Sequence, residues 1–181
     1  FGQSRSGTLS MRRHGVACLV ACYVAEGDTN IATPAAASVE LVNGFTQIHD
    51  DVQGGLPSRD QRDAVWWVWG PAQAINAGDG MHALARLTLF RLQGLGFPHG
   101  KIFKAVKLLD EASLELCEGR FRDIEAQERL DLTVDAYLAM ASGKIGSLYA
   151  CAMKLGALVA TGDETIVQAM GECGARIGLA L

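Results

Sequence analysis

The chain has 181 residues, 49% of them apolar and 20% charged, which is enough to bury a core of ordinary size and too apolar for a disordered chain. A net charge of −4 with scattered basic residues excludes the broad cationic footprint selected by nucleic acid or an anionic bilayer, so an anionic ligand needs a local site. The longest apolar stretch, residues 16–25, is about half of a membrane span, and the polar, glycine-rich start is no signal peptide, so a cytoplasmic protein without a membrane span is expected.

Apolar residues recur at helical spacing, strand-like alternation is absent and only four prolines interrupt the chain, which predicts an all-α fold. The first helix covers residues 9–25 and stops at Gly27-Asp28. The second opens at Thr33-Pro34, where threonine can cap and proline suits the first turn, and it runs to Asp50-Asp51. Residues 54–58 are a break. Helix resumes near Pro71 and continues to about residue 95, where Gly96-Phe97-Pro98 ends it. Another helix spans about 100–127. Thr133 followed by Asp135 opens the next, and Gly162-Asp163 separates it from a last helix still running at Leu181. The simplest assembly is one bundle of about six helices spanning 1–181, and a chain that stops inside a helix points to a partial domain. Five cysteines sit in apolar helical stretches. Cys18 and Cys22 lie one turn apart but no second pair completes a zinc set, so they read as buried thiols.

The most informative stretch runs from Glu40 to Gln53 and contains His49-Asp50-Asp51. Two adjacent carboxylates ending an apolar helix are costly unless a cation meets them, and Mg²⁺ with oxygen ligands is the usual cation. The alternative is an exposed acidic helix end.

These residues, with Arg59, the segment 72–79, and Thr133-Val134-Asp135 followed by Gly143-Lys144, resemble the polyprenyl synthetase family of trans-isoprenyl diphosphate synthases in order and without gaps. The resemblance implies an isoprenoid-synthase helix bundle around a central cavity and a homodimer. It also implies Mg²⁺-dependent ionisation of an allylic prenyl diphosphate, whose cation is attacked by isopentenyl diphosphate. It makes Asp50 and Asp51 metal ligands and Arg12, Arg59 and Lys144 diphosphate contacts. Phe45 and Thr46, one turn before the acids, become the floor of a cavity for short prenyl groups, with plain core packing as the alternative for Phe45. His49, Arg120 and Asp123 are supporting residues. The family's third acid, four residues after the first, is Gly54 here.

Departures cluster where that family holds isopentenyl diphosphate. Met11 stands in place of a lysine, Asn43 of a histidine and Asp60 of an arginine, so this site reads as degraded. The leading expectation is therefore a terpene-synthase-like enzyme acting on an allylic diphosphate. A short-chain trans-prenyltransferase is the second reading and a non-catalytic partner subunit the third. The family's second aspartate-rich motif is not found in the chain. Trp66, Trp67 and Trp69 read as packing or an interface, with π stabilisation of a carbocation as the alternative.

Overall fold

A computed structural model describes residues 12–127 and 131–181. The helices are α1 (Arg13–Val24), α2 (Thr33–Gln53), α3 (Val65–Trp69), α4 (Pro71–Phe90), α5 (His99–Ala126), α6 (Val134–Ala141), α7 (Ser147–Ala160) and α8 (Glu164–Ala180). A 3₁₀ turn, Arg91–Leu95, continues α4, and a π-helical turn, Ser142–Gly146, joins α6 to α7. The fold is the all-α bundle that the apolar periodicity predicts.

Start signals read from the sequence act as expected except at Thr33, which lies inside α2 after Ala32 and makes no capping hydrogen bond. Pro34 lies in the first turn of α2. Thr133 Oγ1 accepts from the Ala136 amide at 3.2 Å, and Asp163 Oδ1 accepts from the Thr165 amide at 2.8 Å, capping α6 and α8. At the start of α1 a side chain from another helix serves: the Gly15 amide donates to Glu40 Oε1 at 2.7 Å. That bond ties the beginning of α1 to the middle of α2.

Packing is centred on α7, which is buried on nearly every side and touches α1, α2, α5 and α8. A helix apolar all round belongs in the middle of a bundle, and the run 147–159 has that character. Gly156 lies against the Cys18 carbonyl with no room for a Cβ, so α1 and α7 meet backbone to backbone. Cys18, Cys22 and Cys151 are buried free thiols, while Cys117 and Cys173 are free and exposed. Burial pushes the Cys151 thiol up to about 12, far from reactivity.

Two expectations need correction. The break after α2 holds a small antiparallel hairpin, β1 (Ser58–Arg59) and β2 (Arg62–Asp63), with Ser58 opposite Asp63 and Arg59 opposite Arg62. Asp60 and Gln61 form its turn with φ of 50° and 63°, the pair of positive values that a two-residue I′ turn requires. Strands of two residues carry no apolar alternation, which is why they leave no periodic signal. Helix also begins earlier than Pro71, because α3 precedes α4, with Gly70 at φ 84° between them. The first helix is described from Arg13, and Met11 lies outside the described residues. No helix among the described residues is long and apolar enough to cross a membrane.

Candidate active site

Four helices and the hairpin enclose a central cavity of about 540 Å³. Its wall includes His14 of α1, Asn43, Thr46 and Gln47 of α2, Leu116 and Arg120 of α5, Lys144 of the π turn, and Leu148 and Tyr149 of α7. Asp60 of the hairpin turn and Arg13 of α1 also line it. The lining combines aliphatic and aromatic side chains with cationic ones, a composition suited to an apolar chain with an anionic head.

The twin acids end α2 beside this cavity. Arg120 grips Asp50 with both guanidinium ends: Nη2 donates to Oδ2 at 2.7 Å, and Nη1 donates to Oδ1. Asp51 is 6% exposed and accepts from Arg59 Nε at 2.8 Å, with Arg59 Nη2 at 2.6 Å from the same oxygen. That hydrogen bond holds the Arg59 guanidinium above its ordinary pKa. One turn further along α5, Asp123 Oδ2 accepts from Lys144 Nζ at 2.5 Å. Three acids are therefore matched by three cations, each pair partly shielded from water, where charge-assisted bonds are strong.

Close backbone approach positions two of those cations. Gly119 faces Gly143 and Lys144, and a Cβ on Gly119 would come 2.6 Å from the Gly143 carbonyl carbon. The residues flanking this contact, Arg120 on α5 and Lys144 on the π turn, thus enter the cavity from fixed backbones. Such π turns are frequent at functional sites because they re-aim a side chain within a continuous helix. Ser147 Oγ closes the turn by donating to the Gly143 carbonyl at 2.6 Å.

The structure gathers Asp50, Asp51, Arg59, Arg120, Asp123 and Lys144 into one cluster and places other predicted residues elsewhere. Thr46 lines the cavity, its hydroxyl donating to the Asn43 carbonyl at 2.7 Å. Phe45 is not in that lining and packs against His49 and His82, with ring centroids 5.2 and 5.1 Å away. One residue of helix turns a side chain through about 100°, which separates neighbours that sequence distance alone groups together. His49 orients neither acid. Its Nε2 donates to the Ile75 carbonyl at 3.2 Å and lies 3.7 Å from Asp79, bracing α2 against α4. Arg12 is exposed and lines a second cavity, of about 670 Å³, between α1 and α2. The tryptophans stand away from the central cavity. Trp66 Nε1 donates to the Leu56 carbonyl at 2.7 Å, while Trp67 and Trp69 are 61% and 69% exposed.

Arg62 is the functional candidate that sequence reasoning missed. It lines the α1–α2 cavity together with Arg12, Asn43 and Gln47. Its only sequence signal was its place two residues after Asp60.

The acids do not by themselves make a metal centre. Among the described residues no three His, Cys, Asp or Glu side chains gather around one point. Asp50 and Asp51 each already hold a guanidinium, and Gly54 contributes no oxygen. A hard cation such as Mg²⁺ takes about six oxygens, so this chain offers a partial set in competition with two arginines.

Residues 7–181 match the family model described as Polyprenyl synthetase. The chain is 42% identical over 154 residues to a geranylgeranyl diphosphate synthase of Mycobacterium tuberculosis, covering 85% of this chain and 43% of that protein. It is 37% identical over 161 residues to a (2E,6E)-farnesyl diphosphate synthase of Mycobacterium bovis, covering 89% and 44%. In fold it matches a polyprenyl synthase of Caulobacter crescentus CB15, whose crystal structure is a complex with calcium and isoprenyl diphosphate, with a TM-score of 0.84 and 29% identity over 95% of this chain and 50% of that one. The chain thus spans about half the length of the relatives it matches.

Proposed function

Because the chain belongs to the polyprenyl synthetase family, we propose that its protein is a short-chain trans-prenyltransferase, joining an allylic prenyl diphosphate to isopentenyl diphosphate. The observation that carries this reading is the central cavity, which is lined by Leu116, Leu148 and Tyr149 together with the cationic Arg120 and Lys144. The prenyl chain lies along Leu116, Leu148 and Tyr149, and the diphosphate meets Lys144 and Arg59. In the reaction the C1–O bond of the allylic substrate breaks and the diphosphate oxygen keeps the electron pair. The isopentenyl double bond supplies the pair for the new C–C bond, and loss of a proton restores an alkene. Cations beside the leaving group supply electrostatic stabilisation, generally the largest contribution to such catalysis.

This reading reverses the order expected from the sequence. The relatives are named as synthases of geranylgeranyl and farnesyl diphosphate, which supports elongation ahead of cyclisation. Loss of charge at Asn43 and Asp60 is offset by Arg12 and Arg62 on the adjoining cavity. Mg²⁺ is the cofactor that the family resemblance implies, and the acids of this chain that would meet it are Asp51, once Arg59 lets go, and Asp50, once Arg120 lets go. A second copy of the chain is the proposed partner. Exposed apolar side chains on α4 and α5, among them Leu84, Leu87, Phe103 and Leu114, supply a face for it.

The test incubates the whole protein with Mg²⁺ and geranyl, farnesyl or geranylgeranyl diphosphate, with and without isopentenyl diphosphate, and identifies the products. Longer diphosphates formed only with isopentenyl diphosphate are expected, from a species with the mass of two chains. Hydrocarbons or alcohols formed without it would replace this reading with cyclisation.

A further inference from the structure

Arg120 stands where a metal-binding acid would be expected to look for a metal. Both ends of its guanidinium engage both oxygens of Asp50, and the pair is poorly solvated, with 15% of the arginine and 30% of the aspartate side chain exposed. The planar fork of arginine matches a carboxylate in a way that no single ammonium does. Its Nε is buried and makes no hydrogen bond within the protein, so the side chain is held from Asp50 alone. Lys144, which lines the same cavity, is occupied by Asp123, leaving Arg120 and Asp50 to balance each other.

We propose that Arg120 is the resident counter-cation of Asp50, supplying positive charge there and competing with a divalent cation for that carboxylate. The proposal takes its choice of cation from the prenyltransferase reading, but its physical content is a competition between two positive groups for one acid. A divalent ion reaching Asp50 must first displace a bidentate guanidinium, and the displaced arginine then faces the cavity with its donors free. Arg120 is accordingly a positioning residue: it sets when Asp50 is available.

The competition can be read without any catalytic assay, by titrating Mn²⁺ onto the whole protein and counting free Mn²⁺ by electron paramagnetic resonance. Arg120→Gln is expected to bind Mn²⁺ about tenfold more tightly than the wild type, modest against the coupling measured for close charge pairs. Arg120→Lys, which keeps one charge but loses the fork, is expected to gain about threefold. The double variant Arg120→Gln, Asp50→Asn should lose the gain. Melting gives a second readout: Arg120→Gln should melt lower than wild type in chelator and recover on adding Mn²⁺, whereas wild type should respond only at about tenfold higher Mn²⁺. Equal Mn²⁺ affinities within twofold, or a gain that survives loss of the Asp50 carboxylate, would overturn the proposal. Should the glutamine variant not fold, the lysine variant decides in the same way. Because metal affinity is measured alone, a protein that makes no prenyl product can still show the competition, and an active one can still refute it.

Discussion

The two cavities that meet at Asn43 and Gln47 hold their cations in opposite ways. Around the central cavity Arg120 and Lys144, and Arg59 next to them, are each locked to an aspartate, while Arg13, also in that lining, makes no ion pair among the described residues. On the α1–α2 cavity Arg12 and Arg62 are exposed, and neither is ion-paired among the described residues. Glu40, which shares that wall, has one oxygen committed to the Gly15 amide. The paired cations are held in place but must exchange an acid for a ligand, whereas the unpaired pair is free to meet an anion at once. Preservation of motif residues and readiness to bind are therefore different properties, and here they separate onto two walls.

The sharpest way to break this contrast is to spoil the orientation of the paired wall without touching a charge. Gly119→Ala would push a methyl group into the backbone of Gly143 and Lys144, forcing α5 from the π turn. Overpacking of this kind costs about 1–3 kcal/mol. Displacing catalytic groups by about 1 Å can lower kcat/KM about a hundredfold, so both melting and turnover should fall. A variant with wild-type turnover would show that Arg120 and Lys144 need no fixed backbone.

The unpaired wall is tested by removing its charges one at a time. Arg12→Ala and Arg62→Ala are each expected to raise KM for isopentenyl diphosphate about tenfold, the size of one partly screened charge contact, with little change in KM for the allylic substrate. Melting should hardly move, since neither side chain holds an internal partner. An increase confined to the allylic KM would place the second diphosphate elsewhere and return the sequence reading of a degraded site to favour.

How much of this was legible in the sequence depends on the type of interaction. Helix starts at Pro34, Thr133 and Asp163 were readable because capping and proline placement are local chemistry, although Thr33 itself does not cap α2. Asp50 and Asp51 were readable because adjacent acids at an apolar helix end demand a partner. The identity of that partner was not, since Arg120 lies seventy positions away along the chain and reaches Asp50 only through the packing of α5 beside α2. Arg62 escaped because a two-residue turn with positive φ at Asp60 and Gln61 sets it opposite Arg59, and neither residue is the usual glycine or asparagine of such turns. The histidine rings that Phe45 packs against were not legible, because His82 reaches it only through the packing of α4 beside α2.

The finest contrast between the walls lies in how they answer to protons. His14 faces the central cavity from α1, its ring centroid 4.3 Å from that of Tyr149, and its Nδ1 is buried without a hydrogen bond. Burial, with the charge of Arg13 adding to it, pulls its pKa down from 6.5 to about 4. The folded protein thus keeps the ring neutral where the unfolded chain would charge it. As pH falls below 6.5 the unfolded state gains a proton that the folded state refuses until about pH 4, so stability is lost across that window and is constant above it. His14→Phe keeps an aromatic ring against Tyr149 and cannot titrate. Between pH 7 and 4.5 the wild type should lose about 5 °C more in Tm than this variant, in line with a few kcal/mol on a domain of this size. Taking the difference between the two proteins cancels the titration of the aspartates, which they share. Parallel melting profiles would mean that water reaches the His14 ring, and that the apolar wall proposed to carry a prenyl chain is wet.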